Sequence, residues 1–394
     1  MIAAATIGLG AQAGPRTDAF VESRDHPAIA YTAGPLHNPV ADLDDKLRQG
    51  TLKLPFESRT GYLRPLLNAL QISIDSQTLV FSQGSMQANQ IGPANPRAVY
   101  FNDSVALARV RGTDLLELAA HDARQGAVFY TLRQNAVSSP RLERDNRCLE
   151  CHLTWDTLGV PGFQVLSTFQ MSDDPNAYAS GLVSDHRTPL RDRWGGWYVT
   201  GQPGTSQHRG NVPVIVKPQE LQKAPRPAPQ LSSVATQFDT QGFPSQHSDV
   251  VALMVLEHQT RMANLLTRVG WETRVALQPG TAPLRQPGNA GQLQARVLEA
   301  VGDLVDYLLF VDETPLAAPV AGSSGFARRF SEMGPKDQRG RSLRELDLQR
   351  RLFRYPCSYM IYSAAFDGMP RAARTAVYQR MREVLQQKDR KSVV

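Results

Sequence analysis

Ala127-Val128-Phe129-Tyr130-Thr131-Leu132 is the run that settles how the first half of the chain folds. β-Branched and aromatic side chains fill it, and these fit a pleated, half-buried surface better than a helix. Similar pieces precede it. Leu79-Val80-Phe81-Ser82 and Arg97-Ala98-Val99-Tyr100-Phe101 read as short strands, the second stopped by the turn pair Asn102-Asp103. Residues 105–110 alternate apolar and small side chains, and residues 115–120 fit a strand or a helix. Downstream, a polar loop over 138–147 leads into Cys148-Leu149-Glu150-Cys151-His152. Further strands are expected over 162–169, about 178–183 and 194–200, the last interrupted by Gly195-Gly196.

The flanks read differently. Residues 14–60 carry turn formers at Gly34-Pro35 and Asn38-Pro39 and are expected to be irregular. Lys223-Ala224-Pro225-Arg226-Pro227-Ala228-Pro229 marks a stiff crossing, placed over residues 217–240. Beyond it the apolar period becomes helical. Helices are expected over 248–269 with Gly270 as a stop, 292–311, and 342–354 halted by Pro356. Residues 357–366 continue the last of these, and Pro370 opens a final helix reaching about residue 387. The expected fold is α+β, with a β-rich region over 14–216 and a mostly helical region over 241–394.

Of 394 residues, 41% are hydrophobic and 20% charged, which suits a globular chain with a sizeable core. The formal net charge of +6 comes mostly from Arg mixed among Asp and Glu, so no block of basic residues points to nucleic acid. No stretch reaches the roughly 18 apolar residues of a membrane-spanning helix. Residues 1–13 are an Ala-rich apolar run ending in Ala11-Gln12-Ala13. They read as a truncated signal peptide without its basic beginning, cleaved before Gly14.

The Cys-x-x-Cys-His run carries the chemistry. Two thiols can add to the vinyl groups of a haem, and the adjacent histidine is then held under the iron. Other readings remain open at this point. A zinc knuckle needs a fourth ligand, and a redox dithiol wants a strand-to-helix junction rather than a loop between strands. Cys357 is left over, in an apolar Tyr-rich segment, and reads as a buried structural thiol.

The motif resembles that of the c-type cytochromes, over Cys148 to His152 only. The resemblance implies one covalent haem c, with Cys148 and Cys151 as thioether anchors and His152 as the proximal iron ligand. It also implies export to the periplasm, single-electron transfer and redox partner proteins there. The chain departs from the small helical cytochromes c, because Leu158-Gly159-Val160-Pro161-Gly162 follows the motif and is no helix. It is similar in scale to large single-haem cytochromes. The strand–loop–strand layout more distantly resembles PAS-type haem c sensor domains. A haem enzyme, peroxidase-like or acting on a small nitrogen or sulfur species, is the main rival, followed by a redox or gas sensor.

The sixth iron ligand is open among His186, His208, His258 and a methionine. His247 and His258, eleven residues apart, would share a helix face with Met254 and Met262. Met171 follows the strand after the motif. Trp155, Trp194 and Trp197 are candidates for packing on a porphyrin. Arg187, Arg191 and Arg193 are candidates for its propionates.

Overall fold

A computed structural model describes residues 24–168, 181–205, 207–212, 227–278 and 289–386. The expected leader over 1–13, Met171 and part of the Pro-rich crossing lie outside them.

Seven strands form one antiparallel sheet in the order β6-β5-β4-β3-β2-β1-β9. They are β1 (Thr78–Val80), β2 (Arg97–Phe101), β3 (Val105–Arg109), β4 (Leu115–Asp122), β5 (Gly126–Arg133), β6 (Glu143–Arg144) and β9 (Trp197–Tyr198). The ambiguous 115–120 segment is a strand. Its side chains alternate half-buried and buried along its length, the period-2 signature of a strand. Two short pairs complete the β structure: β7 (Leu166–Thr168) with β8 (Gly181–Val183), and β10 (Gly201–Pro203) with β11 (Val320–Gly322).

The two sheet faces meet different partners. Leu79, Tyr100, Leu107, Leu118 and Tyr130 pack with Tyr31, Leu43 and Leu66 on one side. Leu43 lies on α1 (Pro39–Arg48) and Leu66 on α2 (Leu63–Ala69). Helix α1 corrects the expectation that residues 14–60 are irregular. Asn38 and Pro39 start a helix rather than a turn: Asn38 Oδ1 accepts from the Val40 and Ala41 amides, and Pro39 takes the first helical position. On the other face, Val80, Phe101 and Trp197 share a core with the long helix α4 (Val250–Leu277). The single turn α3 (Leu149–His152) precedes it in the chain and carries the Cys motif.

Helix α4 is buried on nearly every side and runs straight through Gly270. A helical glycine costs about 1 kcal/mol. Burial of Val269 and Trp271 on either side, each large side chain contributing about 1.5–3 kcal/mol, outweighs it. Around α4 lie α5 (Asn289–Leu308), α6 (Phe326–Glu332), α7 (Ala364–Asp367) and α8 (Arg371–Leu385). The helix expected over 342–354 does not form. Asp347 Oδ1 accepts from the Gln349 and Arg350 amides, which would otherwise bond up a helix, and Leu348 has φ +56°. Buried Arg344 instead stacks over Phe330 and Tyr359 and pairs with Asp103. In place of the continuation over 357–366 stand a 3-10 turn at Tyr359–Tyr362 and the short α7.

Candidate functional site

The Cys motif occupies a tight double turn. Asp145 caps a 3-10 turn, Asn146–Cys148, by accepting from the Arg147 amide, and α3 follows at once. Cys148 and Cys151 stand three residues apart and His152 four from Cys148, so all three share one side of the turn. Leu149, buried in the sheet core, fixes the turn from beneath. Both thiols are free, Cys151 exposed and Cys148 half-buried.

His152 is held from behind. Its Nδ1–H donates to the Gly162 carbonyl at 3.0 Å, while the Gly162 amide donates back to the His152 carbonyl at 2.9 Å. The ring lies against Phe129 on β5, 4.7 Å between centroids. Gly162–Phe163 is in turn clamped by α4: Asn264 Oδ1 accepts from the Phe163 amide at 2.9 Å and its Nδ2 donates to the Phe163 carbonyl at 2.7 Å. Gly162 must be glycine, because a Cβ there would sit 2.4 Å from Asn264 Oδ1. With Nδ1 committed as the donor, the tautomer is set and Nε2 keeps a free lone pair. Among the described residues, Nε2 has no hydrogen-bond partner.

Electrostatics agree with that arrangement. Burial pushes His152 down to about 4, so the imidazole is neutral at physiological pH and able to ligate. Burial, helped by Asp145 and Glu117, pushes the Cys148 thiol up to about 12, and burial raises Cys151 as well. A redox dithiol needs the opposite shift, toward thiolate. Among the described residues, no group of three or more His, Cys, Asp and Glu side chains converges as a zinc site requires.

In front of the motif lies a loop that sequence reasoning passed over. Met86 Sδ sits 3.9 Å from Cys148 Sγ, and Ser85 Oγ donates to Glu117 at 3.1 Å. Arg97 pairs with Glu117 at 2.6 Å. Among the described residues, both amide atoms of Gln87 and the Nε of Arg97 are buried without a partner, an unusual density of orphaned polar atoms. Met86 also lines a cleft of about 630 Å³ with Thr131, Arg133, Arg144, Asp145 and Arg147. A long apolar side chain inside a Gly-, Ser- and Gln-rich stretch was the available signal. The donor set, two free thiols and one imidazole with its tautomer set, suits the chemistry of a tethered haem better than a metal knuckle, which needs a fourth ligand.

The other expected residues lie elsewhere. His186 and His258 meet each other, Nδ1 to Nδ1 at 2.9 Å, and His258 Nε2 meets Ser358 Oγ at 2.7 Å. They stack with Tyr307 and Phe310, and none of their recorded partners belongs to the motif. Buried His208 accepts from the Gly210 amide and packs edge-on to Trp194. His247 precedes α4 and faces the Ser232 carbonyl, so it does not share a helix face with His258. Met254 and Met262 are sealed in the helical core.

Arg193 is buried against Glu257 at 3.2 Å, Arg187 bonds the Val311 carbonyl, and Arg191 lies beside Asp192. Trp194 is fully buried, and Trp197 donates to the Leu166 carbonyl. Trp155, three residues past His152, is 71% exposed. Cys357 is half-buried and pushed up to about 11 by burial. His121, in β4, bonds Thr267 Oγ1 at 3.2 Å. No family model, curated protein or solved structure matches the chain.

Proposed function

We propose that this chain is an exported single-haem c-type cytochrome that passes single electrons between protein partners. Cys148 and Cys151 would carry the thioether links, and His152 would be the proximal ligand. The observation that carries the reading is the His152 Nδ1–H bond to the Gly162 carbonyl. It presets the neutral tautomer and leaves Nε2 as the ligating atom, the arrangement that orients a metal-bound imidazole and strengthens its basicity. The bound haem would supply Fe(III)/Fe(II) one-electron chemistry.

The residues do the rest. Leu149 and Phe129 hold the turn and the ring against the sheet, so little rearrangement accompanies a change of charge nearby. Protonated thiols at Cys148 and Cys151 suit addition across a vinyl double bond, in which each S–H adds its sulfur and its hydrogen to the two carbons. Attachment outside the cytoplasm places the mature protein in the periplasm. The described residues include no helix long and apolar enough to cross a membrane.

The test is mass spectrometry of the chain co-expressed with the cytochrome c assembly machinery. The expected result is one haem per chain that survives acid-acetone extraction and is lost in Cys148→Ser/Cys151→Ser. A chain of unmodified mass under those conditions refutes the reading.

A further inference from the structure

Resting on the haem c reading, we propose that Met86 takes the iron's sixth position, so that the loop over residues 82–90 forms the wall facing His152. Four observations converge on it. Met86 Sδ already lies 3.9 Å from the Cys148 sulfur that would anchor the haem edge. The side chain is 46% exposed and its thioether is flexible, so it can swing onto a group bound at the motif. Among the described residues, both amide atoms of its neighbour Gln87 are buried without a hydrogen-bond partner, so the loop holds polar groups that a rearrangement around a bound group could satisfy.

The fourth observation is elimination. His186 and His258 are bonded to each other, and His208, His247 and His121 have partners of their own away from the motif. Met254, Met262, Met360 and Met369 are buried in the helical core, Met381 packs against it and Met333 ends α6, whereas Met171 lies outside the described residues. Among the described residues, Met86 is the soft ligand recorded in contact with the motif. A Met/His pair gives six-coordinate iron and raises its potential, which suits a carrier.

The test uses the haem-loaded full chain, with attachment checked by mass in every sample. Wild type is expected to be low-spin in both oxidation states and slow to bind carbon monoxide. Met86→Ala and Met86→Leu should turn the spectrum high-spin and speed carbon monoxide binding by roughly tenfold or more, as an opened sixth position allows. Met86→His should restore a low-spin spectrum at a lower potential. Met86 is exposed, so circular dichroism should show all three variants folded.

Haem attached but an unchanged spectrum and potential in Met86→Ala would overturn the assignment of Met86 while leaving the haem reading intact. A high-spin wild type with attached haem would overturn it too. A wild type without haem refutes the haem reading, and Met86 with it.

Discussion

Two histidine clusters in this protein use the same chemistry to opposite ends. At the motif, His152 has one nitrogen tied to a backbone carbonyl and, among the described residues, the other unpartnered, beside two free thiols and polar atoms of Gln87 and Arg97 that lack partners there. On α4, His258 spends both nitrogens on His186 and Ser358, and the pair is sealed between Tyr307 and Phe310. Among the described residues His186 Nε2 is left without a partner, but the side chain is buried. An imidazole that is anchored yet open is arranged to bind, whereas one that is saturated and enclosed is arranged to hold helices together. Under the proposed haem reading the first cluster would accept imperfect packing for the sake of a ligand; the second is part of the core.

The sharpest way to break this contrast is to remove one histidine from each cluster. His152→Ala should abolish the low-spin haem spectrum while changing the thermal midpoint of the haem-free chain little, since the ring is half-buried at the edge of the core. His258→Ala should do the reverse. It leaves a cavity and strands the Ser358 and His186 partners, costing about 3 kcal/mol, with the spectrum unchanged. Spectra and thermal melts of both variants decide it. A His258→Ala protein with an altered haem spectrum would mean that the two clusters are not functionally separate.

Asn264 is a smaller and more informative case, because it belongs to the core yet steers the motif. Losing its two bonds to Phe163 leaves buried backbone groups unpaired, at about 2 kcal/mol. It also slackens the Gly162 carbonyl that orients His152. Asn264→Ala should therefore raise the redox potential or lower the low-spin fraction, and lower the melting temperature as well. His258→Ala, matched for stability, should shift only the melting temperature. If Asn264→Ala melts early with an unaltered potential, the clamp is structural only.

How much of this was legible beforehand follows from where the controlling contacts lie. β5 was readable because the six side chains of residues 127–132 carry their own preference, and the Cys-x-x-Cys-His run stood out by its spacing, which the structure places on one turn. Helix α1 was hidden because Asn-Pro is a turn signal and a helix start alike, and only the bonds from Asn38 Oδ1 distinguish them. Residues 342–354 had helical periodicity, but Arg344 is drawn to Asp103, Phe330 and Tyr359, a long-range demand that local pattern does not contain. The Asn264 clamp spans 101 residues to Phe163, and Met86 reaches Cys148 across 62. Neither pairing leaves a trace in local spacing. The histidines downstream looked like ligands because the sequence shows residue types, not which nitrogens are already spent.

The smallest effect lies in pH dependence, where the sealed cluster contains its own opposing group. Burial pushes His121, His152 and His208 to about 4 and His258 to about 3, and lowers His186 as well. Between those values and the ordinary 6.5 the unfolded chain binds more protons, so stability is present above about pH 6.5 and is lost as pH falls toward 4. Glu257 acts in the other direction. Burial raises it to about 7, outweighing Arg193 at 3.2 Å and the Ser184 hydroxyl. From 4.5 to about 7 the folded chain therefore holds a proton that the unfolded chain has released. Its contribution is full below 4.5 and fades as pH rises through 7, partly cancelling the histidines.

Glu257→Gln removes that cancellation. Its oxygen still accepts from Ser184 or Arg193, so the fold should survive with some loss of stability. The loss of stability on acidification of the haem-free chain should become steeper by up to one proton, about 1.4 kcal/mol per pH unit. Thermal melts at half-unit steps from pH 7 to 4.5 read that slope directly. A slope equal to wild type, or shallower, would mean that Glu257 is ionised throughout and that Arg193, not burial, governs it.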